Sequence, residues 1–392
     1  MPEKKEPKKN GIFGVDFNVF MLGIVSFLTD VSSEMIFSVF SIFFTVVLGA
    51  SAALLGLIEG LADFASSSLD YISGALSDKT GKRKKYAAIG YGFSAAAKSL
   101  LVFASTVLFA SAFRVLERLG KSFRGPPRDA WISSLSTDKN RGLSFGLHKA
   151  LDKSGAIVGP LIAYFVLDFY GSTMGTFQML FVIALVPAIL SVALLLLIKE
   201  NPASPRKRES IFTAHKTMKK EFHHYLKSAG IFSLVYFSFG FLLLKAYSIG
   251  FAIKDVVLLY ALFNVAFVIV AVPIGKLGDI IGRKKIIMLG YLTYAIMSLG
   301  FVFAATKLDV ILLFLLFGVF YAIDEAQSKA YISDIEKDQR GTAIGLYNFV
   351  TGLIYLPASI IAGFLWTISP SYAFLFATVM SLAALAYFSL KS

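Results

Sequence analysis

Apolar residues in this chain fall into long blocks, not the alternating or every-third-residue stripes of a half-buried soluble element. A helix needs about 20 mainly apolar residues to cross about 30 Å of hydrocarbon. On that measure twelve spans are predicted. Six lie at about 17–47, 52–76, 86–107, 109–135, 142–168 and 176–198, and six at about 226–250, 254–276, 286–306, 309–333, 340–366 and 371–390. The stretch 109–135 is the least apolar of them. Polar punctuation between blocks is brief except at 199–225, where Pro202, Pro205 and the run Arg206-Lys207-Arg208 precede Lys216, Lys219 and Lys220. That segment reads as a basic linker, its second part lying on the membrane surface. It separates a half at 1–198 from a half at 226–392.

The two halves repeat. Asp78 and Asp279 are 201 residues apart, Ala130 and Ala330 are 200 apart, and Arg141-Gly142 and Arg340-Gly341 are 199 apart. Asp129-Ala130-Trp131-Ile132-Ser133 parallels Lys329-Ala330-Tyr331-Ile332-Ser333. The predicted fold class is an all-α membrane protein, with twelve transmembrane helices in two six-helix pseudo-repeat halves. Such duplicated halves place a binding site between them near the midplane.

Composition agrees with this pattern. Of 392 residues 56% are hydrophobic and only 16% charged, whereas a soluble surface needs about a quarter. The net charge of +13 could suggest nucleic acid, but the cations gather in loops on one side. Lys79 with Lys82 to Lys85, Lys139 with Arg141, the linker, Arg283 to Lys285, and Lys337 with Arg340 share that side; the other holds little more than Lys254 and Lys307. This bias predicts a multi-pass protein with both termini cytoplasmic, and no nucleic-acid partner. The short loops suit a plasma membrane and a monomer in the lipid bilayer. With no Cys there are no disulfides. The first span, carrying Asp30 and Glu34, is too long and too polar for a cleaved signal. The absence of a Gly-x-x-x-x-Gly-Lys-Ser/Thr loop argues against ATP drive, and the absence of a nucleophile–base pattern argues against an enzyme. No cofactor is expected, and no metal, since His223-His224 lack supporting Cys or carboxylate.

Ionisable groups within spans are costly and functional by default. Arg114, Arg118, Lys121, Arg124 or Gly125, and Arg128 recur every three or four residues along the fourth span, beside Glu117 and Asp129. Glu59, Asp63 and Asp70 share a face of the second span, Asp30 and Glu34 lie four apart on the first, and His148 and Asp152 lie on the fifth. Two readings stay open for each: a structural ion pair, or a water-filled cavity with a cationic wall facing a protonatable carboxylate. On the second reading the proton-coupling candidates are Asp30, Glu34, Arg114, Asp63 and Asp152. Asp30 is expected as the proton site and Arg114 as its tuner. Arg118 and Lys121 are substrate-cavity candidates.

Two loops then tie the chain to a family. Gly74-Ala-Leu-Ser-Asp78-Lys79-Thr80-Gly81-Lys82-Arg83 joins the second and third spans, and Gly275-Lys276-Leu-Gly278-Asp279-Ile-Ile-Gly282-Arg283-Lys284 is its copy in the second half. Together with twelve spans and a central linker, they resemble the major facilitator superfamily over essentially the whole chain. The resemblance implies a conformational latch at Gly74, Asp78, Gly81 and Arg83 and at Gly275, Asp279, Gly282 and Arg283. There Asp78 caps or pairs with a neighbouring helix end and Arg83 joins its charge network. Asp30 falls where first spans of that family often carry an acid, and Arg114 resembles its fourth-span arginine, with Arg118 in place of a common glycine. Gly155-Ala-Ile-Val-Gly159-Pro160 resembles the fifth-span packing motif of its exporters and antiporters. The seventh and tenth spans line the cavity in that family, so Lys245, Asp324 and Glu325 become further substrate-cavity candidates.

These readings converge on a secondary transporter working by alternating access, with protons and a small-molecule substrate as its partners. Proton-coupled export of a small organic solute is the favoured expectation. Uptake or exchange of an anionic metabolite, and a transport-dead receptor or lipid-handling role, are the alternatives.

Overall fold

The computed structural model describes residues 11–137, 140–200, 215–337 and 339–390. Most of the predicted linker, 201–214, and Lys139 lie outside them. A small hairpin opens the described chain: β1 (Gly11–Ile12) pairs antiparallel with β2 (Val15–Asp16) through a two-residue turn at Phe13 and Gly14, both at positive φ. Asp16 then caps α1 (Phe17–Ile42), its carboxylate accepting from Asn18 N at 2.8 Å. α1 continues as a π-helical segment at Phe43–Val47, whose Phe43 packs on Phe177 and Phe181.

The first half proceeds through α2 (Ala52–Thr80), α3 (Arg83–Val102), α4 (Val107–Leu135), α5 (Arg141–Tyr170) and α6 (Met174–Leu197). The second contains α7 (Lys220–Ser233), α8 (Gly240–Ser248), α9 (Ile253–Ile281), α10 (Arg283–Phe303), α11 (Lys307–Ile335), α12 (Arg340–Ile368) and α13 (Pro370–Ser389). A 29-residue helix such as α2 is about 44 Å long, enough to cross a bilayer and emerge. Gly81 and Gly282, at φ +68° and +96°, end α2 and α9, so each signature loop is a helix stop of one or two residues.

Among the described residues eight helices are by themselves long and apolar enough to cross a membrane: α1, α2, α5, α6, α9, α10, α12 and α13. The other spans, α3, α4, α11 and the pair α7–α8, carry intramembrane charge or are broken, and they complete the twelve. Val186, Ile189 and Leu197 of α6, Ile269, Val272 and Ile280 of α9 and Val379 of α13 are exposed. Buried charge on the inside and apolar side chains outside are the arrangement a lipid environment requires.

The packing repeats as the sequence does. α3 lies against α4 and α6, as α10 lies against α11 and α13; α2 meets α4, as α9 meets α11. α1 rests on α5 and α6, as α7 rests on α12 and α13. Two seams join the halves, α2 with α12 and α5 with α9, and the repeat exchanges them.

The seventh span departs from expectation in two ways. It begins at Lys220, inside the stretch predicted as linker, because Phe222 and Tyr225 are buried and Tyr225 stacks on Tyr347 and packs against the rings of Tyr331 and Phe388. It also breaks between α7 and α8 instead of running on through 226–250. Ser238 Oγ takes the Gly240 N–H at 3.1 Å, and the Val235 carbonyl accepts from Tyr294 Oη at 2.7 Å, so side chains satisfy backbone groups that the helix would have used.

Candidate functional site

The fourth span is the least apolar because its charges have work inside the protein. α4 passes straight through Pro126 and Pro127. Proline at 126 removes the N–H that would bond the Ser122 carbonyl, and Ser73 Oγ of α2 donates to that carbonyl instead, at 2.9 Å. α4 thereby stays helical against α2 and presents its cations to the space between the halves.

A cavity of about 310 Å³ lies there. Its first-half wall is ionic: Glu34 of α1, Glu59 and Asp63 of α2, and Arg114, Arg118 and Lys121 of α4. Its second-half wall is aromatic, with Tyr236 and Phe239 from the break between α7 and α8, Tyr260 and Phe263 from α9, Tyr321 from α11 and Tyr355 from α12. Most of the ionic wall is collapsed into pairs. Arg114 holds Glu59 with two parallel bonds, Nε–Oε1 at 2.5 Å and Nη2–Oε2 at 2.6 Å, and its guanidinium lies 4.6 Å from the Phe37 ring centre. Glu117 stands behind it at 3.9 Å, and Arg118 pairs with Asp63 at 2.9 Å. Glu34 accepts a hydrogen bond from Tyr260 Oη, a direct link from the first half to the second.

Arg114, expected as the tuner of Asp30, takes Glu59 as its direct partner. Arg114 points toward α2 and is bound by Glu59, its Nη1 left without a hydrogen-bond partner, while Asp30 lies on the face of α1 turned to α5. Gly155 and Gly159 set that approach. A Cβ at Gly155 would lie 2.5 Å from the Phe27 carbonyl oxygen and 3.0 Å from Asp30 Cβ, and one at Gly159 would lie 2.5 Å from the Val31 carbonyl oxygen. With Pro160 on the same helix, they let α1 and α5 meet nearly backbone to backbone, bringing Asp30 and Asp152 to one small chamber of about 230 Å³. Lys121, Arg124 and Lys153 also face it. A larger cleft of about 720 Å³ opens beside it toward the end bearing the signature loops, lined in part by Asp70, Gly74, Asp78 and Lys329. Lys121 borders all three spaces.

At the opposite end the halves are shut. A Cβ on Gly56 would collide with the Ser359 carbonyl, one on Gly60 would come 3.0 Å from the Leu356 carbonyl, and one on Gly363 would meet Ala52 and Ala53. Lys254 of α9 bonds Asp168 of α5 at 2.5 Å.

The remaining candidates separate by position. Glu325 is not on the central wall; it pairs across the halves with Lys149 at 3.3 Å and, one turn along its own helix, with Lys329 at 3.8 Å. Asp324 accepts from Ser328 Oγ at 3.0 Å, and neither it nor Lys245, in the last turn of α8, lines the three spaces. In the first signature loop the Arg83 backbone N–H donates to Glu200 at 2.7 Å, and Asp78 borders the cleft. In the second, Arg283 joins Asp279 at 2.8 Å and Asp334 of α11 at 2.5 Å, and Gly278 packs flat on the buried Gln327 amide; Gly275 has open space around it. Lys98 was not anticipated. It is buried on α3, donating to Ser32 and Ser33 at 2.8 and 2.9 Å, and Ser33 and Ser94 donate to Glu117. A lysine inside an alanine-rich span was the available signal.

The chain matches the Major Facilitator Superfamily over residues 22–253 and 228–391. It is 39% identical to an uncharacterized MFS-type transporter of Methanocaldococcus jannaschii over 93% of this chain and 92% of that one. It is 28% identical to multidrug resistance protein 2 of Bacillus subtilis over 69% and 70% of the two chains. Among solved structures it resembles a mutant of the nucleoside transporter NupG (TM-score 0.80, 13% identity, 95% and 99% of the chains covered) and a mutant of the peptide transporter POT (0.77, 13%, 97% and 94%). With the repeated seams and the cavity between them, these matches place the chain in the Major Facilitator Superfamily of membrane transporters.

Proposed function

We propose that this transporter exports a small organic solute in exchange for protons, by alternating exposure of the central cavity. The observation that carries the reading is the two-sided wall: paired charge from one half, aromatic rings from the other, and the Glu34–Tyr260 bond joining them. A carboxylate that holds the halves together through a tyrosine hydroxyl loses acceptor strength when protonated, so proton binding and closure of the halves act on each other. Asp30 is the second proton candidate; Glu34, Lys121, Arg124 and Asp152 share its chamber. The cation-rich loops support a plasma-membrane protein with the signature-loop end and both termini cytoplasmic, and on that reading the open cleft faces the cytoplasm. There a monomer would load its solute. Export is further supported by similarity to the Bacillus multidrug resistance protein.

The test is proton flux into proteoliposomes holding a pH-sensitive dye, with organic anions, cations, zwitterions and neutral lipophiles offered in turn. Solute-dependent proton movement, lost in Asp30→Asn or Glu34→Gln, is expected. Solute flux with no accompanying proton movement would sink the coupling.

A further inference from the structure

Charges of opposite sign behave differently in two adjoining spaces. In the central cavity they collapse into pairs at 2.5 to 2.9 Å. In the 230 Å³ chamber they do not. Among the described residues no carboxylate oxygen comes within 4.0 Å of the charged nitrogens of Lys121, Arg124 or Lys153, and Asp30 and Asp152 likewise lack a cation at that distance. The two other cations there are satisfied from outside the chamber: Arg128 by Asp129 at 2.9 Å, and Lys149 by Glu325. Arg124 is 3% exposed, lies over the Tyr91 ring at 4.9 Å, and has Nη1 with no partner. Lys153 is held over the rings of Phe267 and Tyr321 at 4.7 and 5.6 Å, across the seam between halves. Ring faces hold an ammonium in place without neutralising it.

Separated charges in a low-dielectric enclosure cost free energy unless something of both signs stands between them. The chamber has that symmetry: cations from α4 and α5 on one hand, carboxylates of α1 and α5 on the other. It adjoins the aromatic-walled cavity through shared residues, namely Glu34, Lys121, Tyr260, Phe263 and Tyr321. We infer that the transported solute is an amphiphilic zwitterion. Its anionic group is held by Lys121 and Arg124, its cationic group by Asp30 and Asp152, and its apolar body lies against the aromatic wall. An amino acid with an apolar side chain is the simplest member of that class. The inference rests on the central cavity being the transport site, but not on the coupling ion or the direction.

Binding of L-phenylalanine to the purified full-length protein in detergent decides it, compared with N-acetyl-phenylalanine (anion), phenylalanine amide (cation), N-acetyl-phenylalanine amide (neutral) and glycine (no apolar body). The zwitterion should bind roughly tenfold or more tightly than each single-charge analogue, since each loses a charge-assisted bond. Glycine should bind more weakly than phenylalanine. In Lys121→Gln the advantage of the free carboxylate over the amide should vanish; in Asp152→Asn the advantage of the free amine over its acetylated form should vanish. These exchanges of selectivity are ratios within one variant, so a loss of folded protein does not imitate them. Equal binding of all five compounds, tighter binding of the anion or cation than of the zwitterion, or unaltered ratios in both variants would overturn the inference. Proteoliposomes separate it from the coupling reading: flux of other solutes without zwitterion binding removes this inference alone, and zwitterion flux with no accompanying proton movement supports it while removing the proton coupling.

Discussion

Replacing Glu59 by Gln leaves the Arg114 guanidinium charged and 5% exposed, with its bidentate partner gone. Breaking a buried pair from one side costs about 3 to 5 kcal/mol, whereas replacing both partners by apolar residues of similar size costs far less. Thermal unfolding in detergent should therefore show a large loss for Glu59→Gln and substantial recovery in Glu59→Leu combined with Arg114→Met. Transport should fail in both, which separates stability from function. The pairing also marks the limit of sequence reading at this scale. That Arg114 and Glu59 lie inside spans was legible from their apolar surroundings. Which acid Arg114 would meet was not, because α1, α2 and α5 all offer carboxylates and only the rotation and tilt of α4 chooses among them. Lys98 escaped for the opposite reason: one cation among alanines makes no periodic pattern.

Elements were more legible than partners. Span number and the repeat of the halves could be read, since the first depends on local apolar length and the second on matching residues at a fixed offset. The break at 234–239 could not, because the groups that satisfy its backbone are a serine accepting from the N–H two residues on and a tyrosine 59 positions away. α4 gives a test of the same kind. Ser73→Ala removes the donor to the Ser122 carbonyl and should cost about 1 kcal/mol or more in unfolding experiments. Adding Pro126→Ala restores an N–H within the helix, so the Ser73→Ala penalty should shrink in that background. An unchanged penalty would mean that the hydroxyl does not stand in for the missing backbone bond.

For the whole molecule the question is how the two seams exchange. The α2–α12 seam closes on backbone, so Gly56→Val should hold it apart and shift the population away from the state described here. The chain contains no Cys, and one introduced at Asn348, beside the cleft, reports its opening without background. Its reaction rate with a soluble maleimide should drop several-fold in Gly56→Val, while Gly125→Ala, with open space around it, should leave the rate alone. An unaltered rate in Gly56→Val would mean that this seam does not control access to the cleft.

The same seam has a thermal consequence. At its tightest points it hides Gly56, Gly60 and Gly363, two half-buried alanines and the hydroxyl of Ser359, which is buried without a partner. Parting these surfaces wets peptide groups and one thirsty hydroxyl but little hydrocarbon. Heat capacity rises with apolar exposure and falls with polar exposure, so the two contributions here nearly cancel. The balance between the two facing states should then follow a nearly straight van't Hoff line. On such a line the enthalpy of the exchange is constant, so one measured slope gives the balance of the two states at every working temperature.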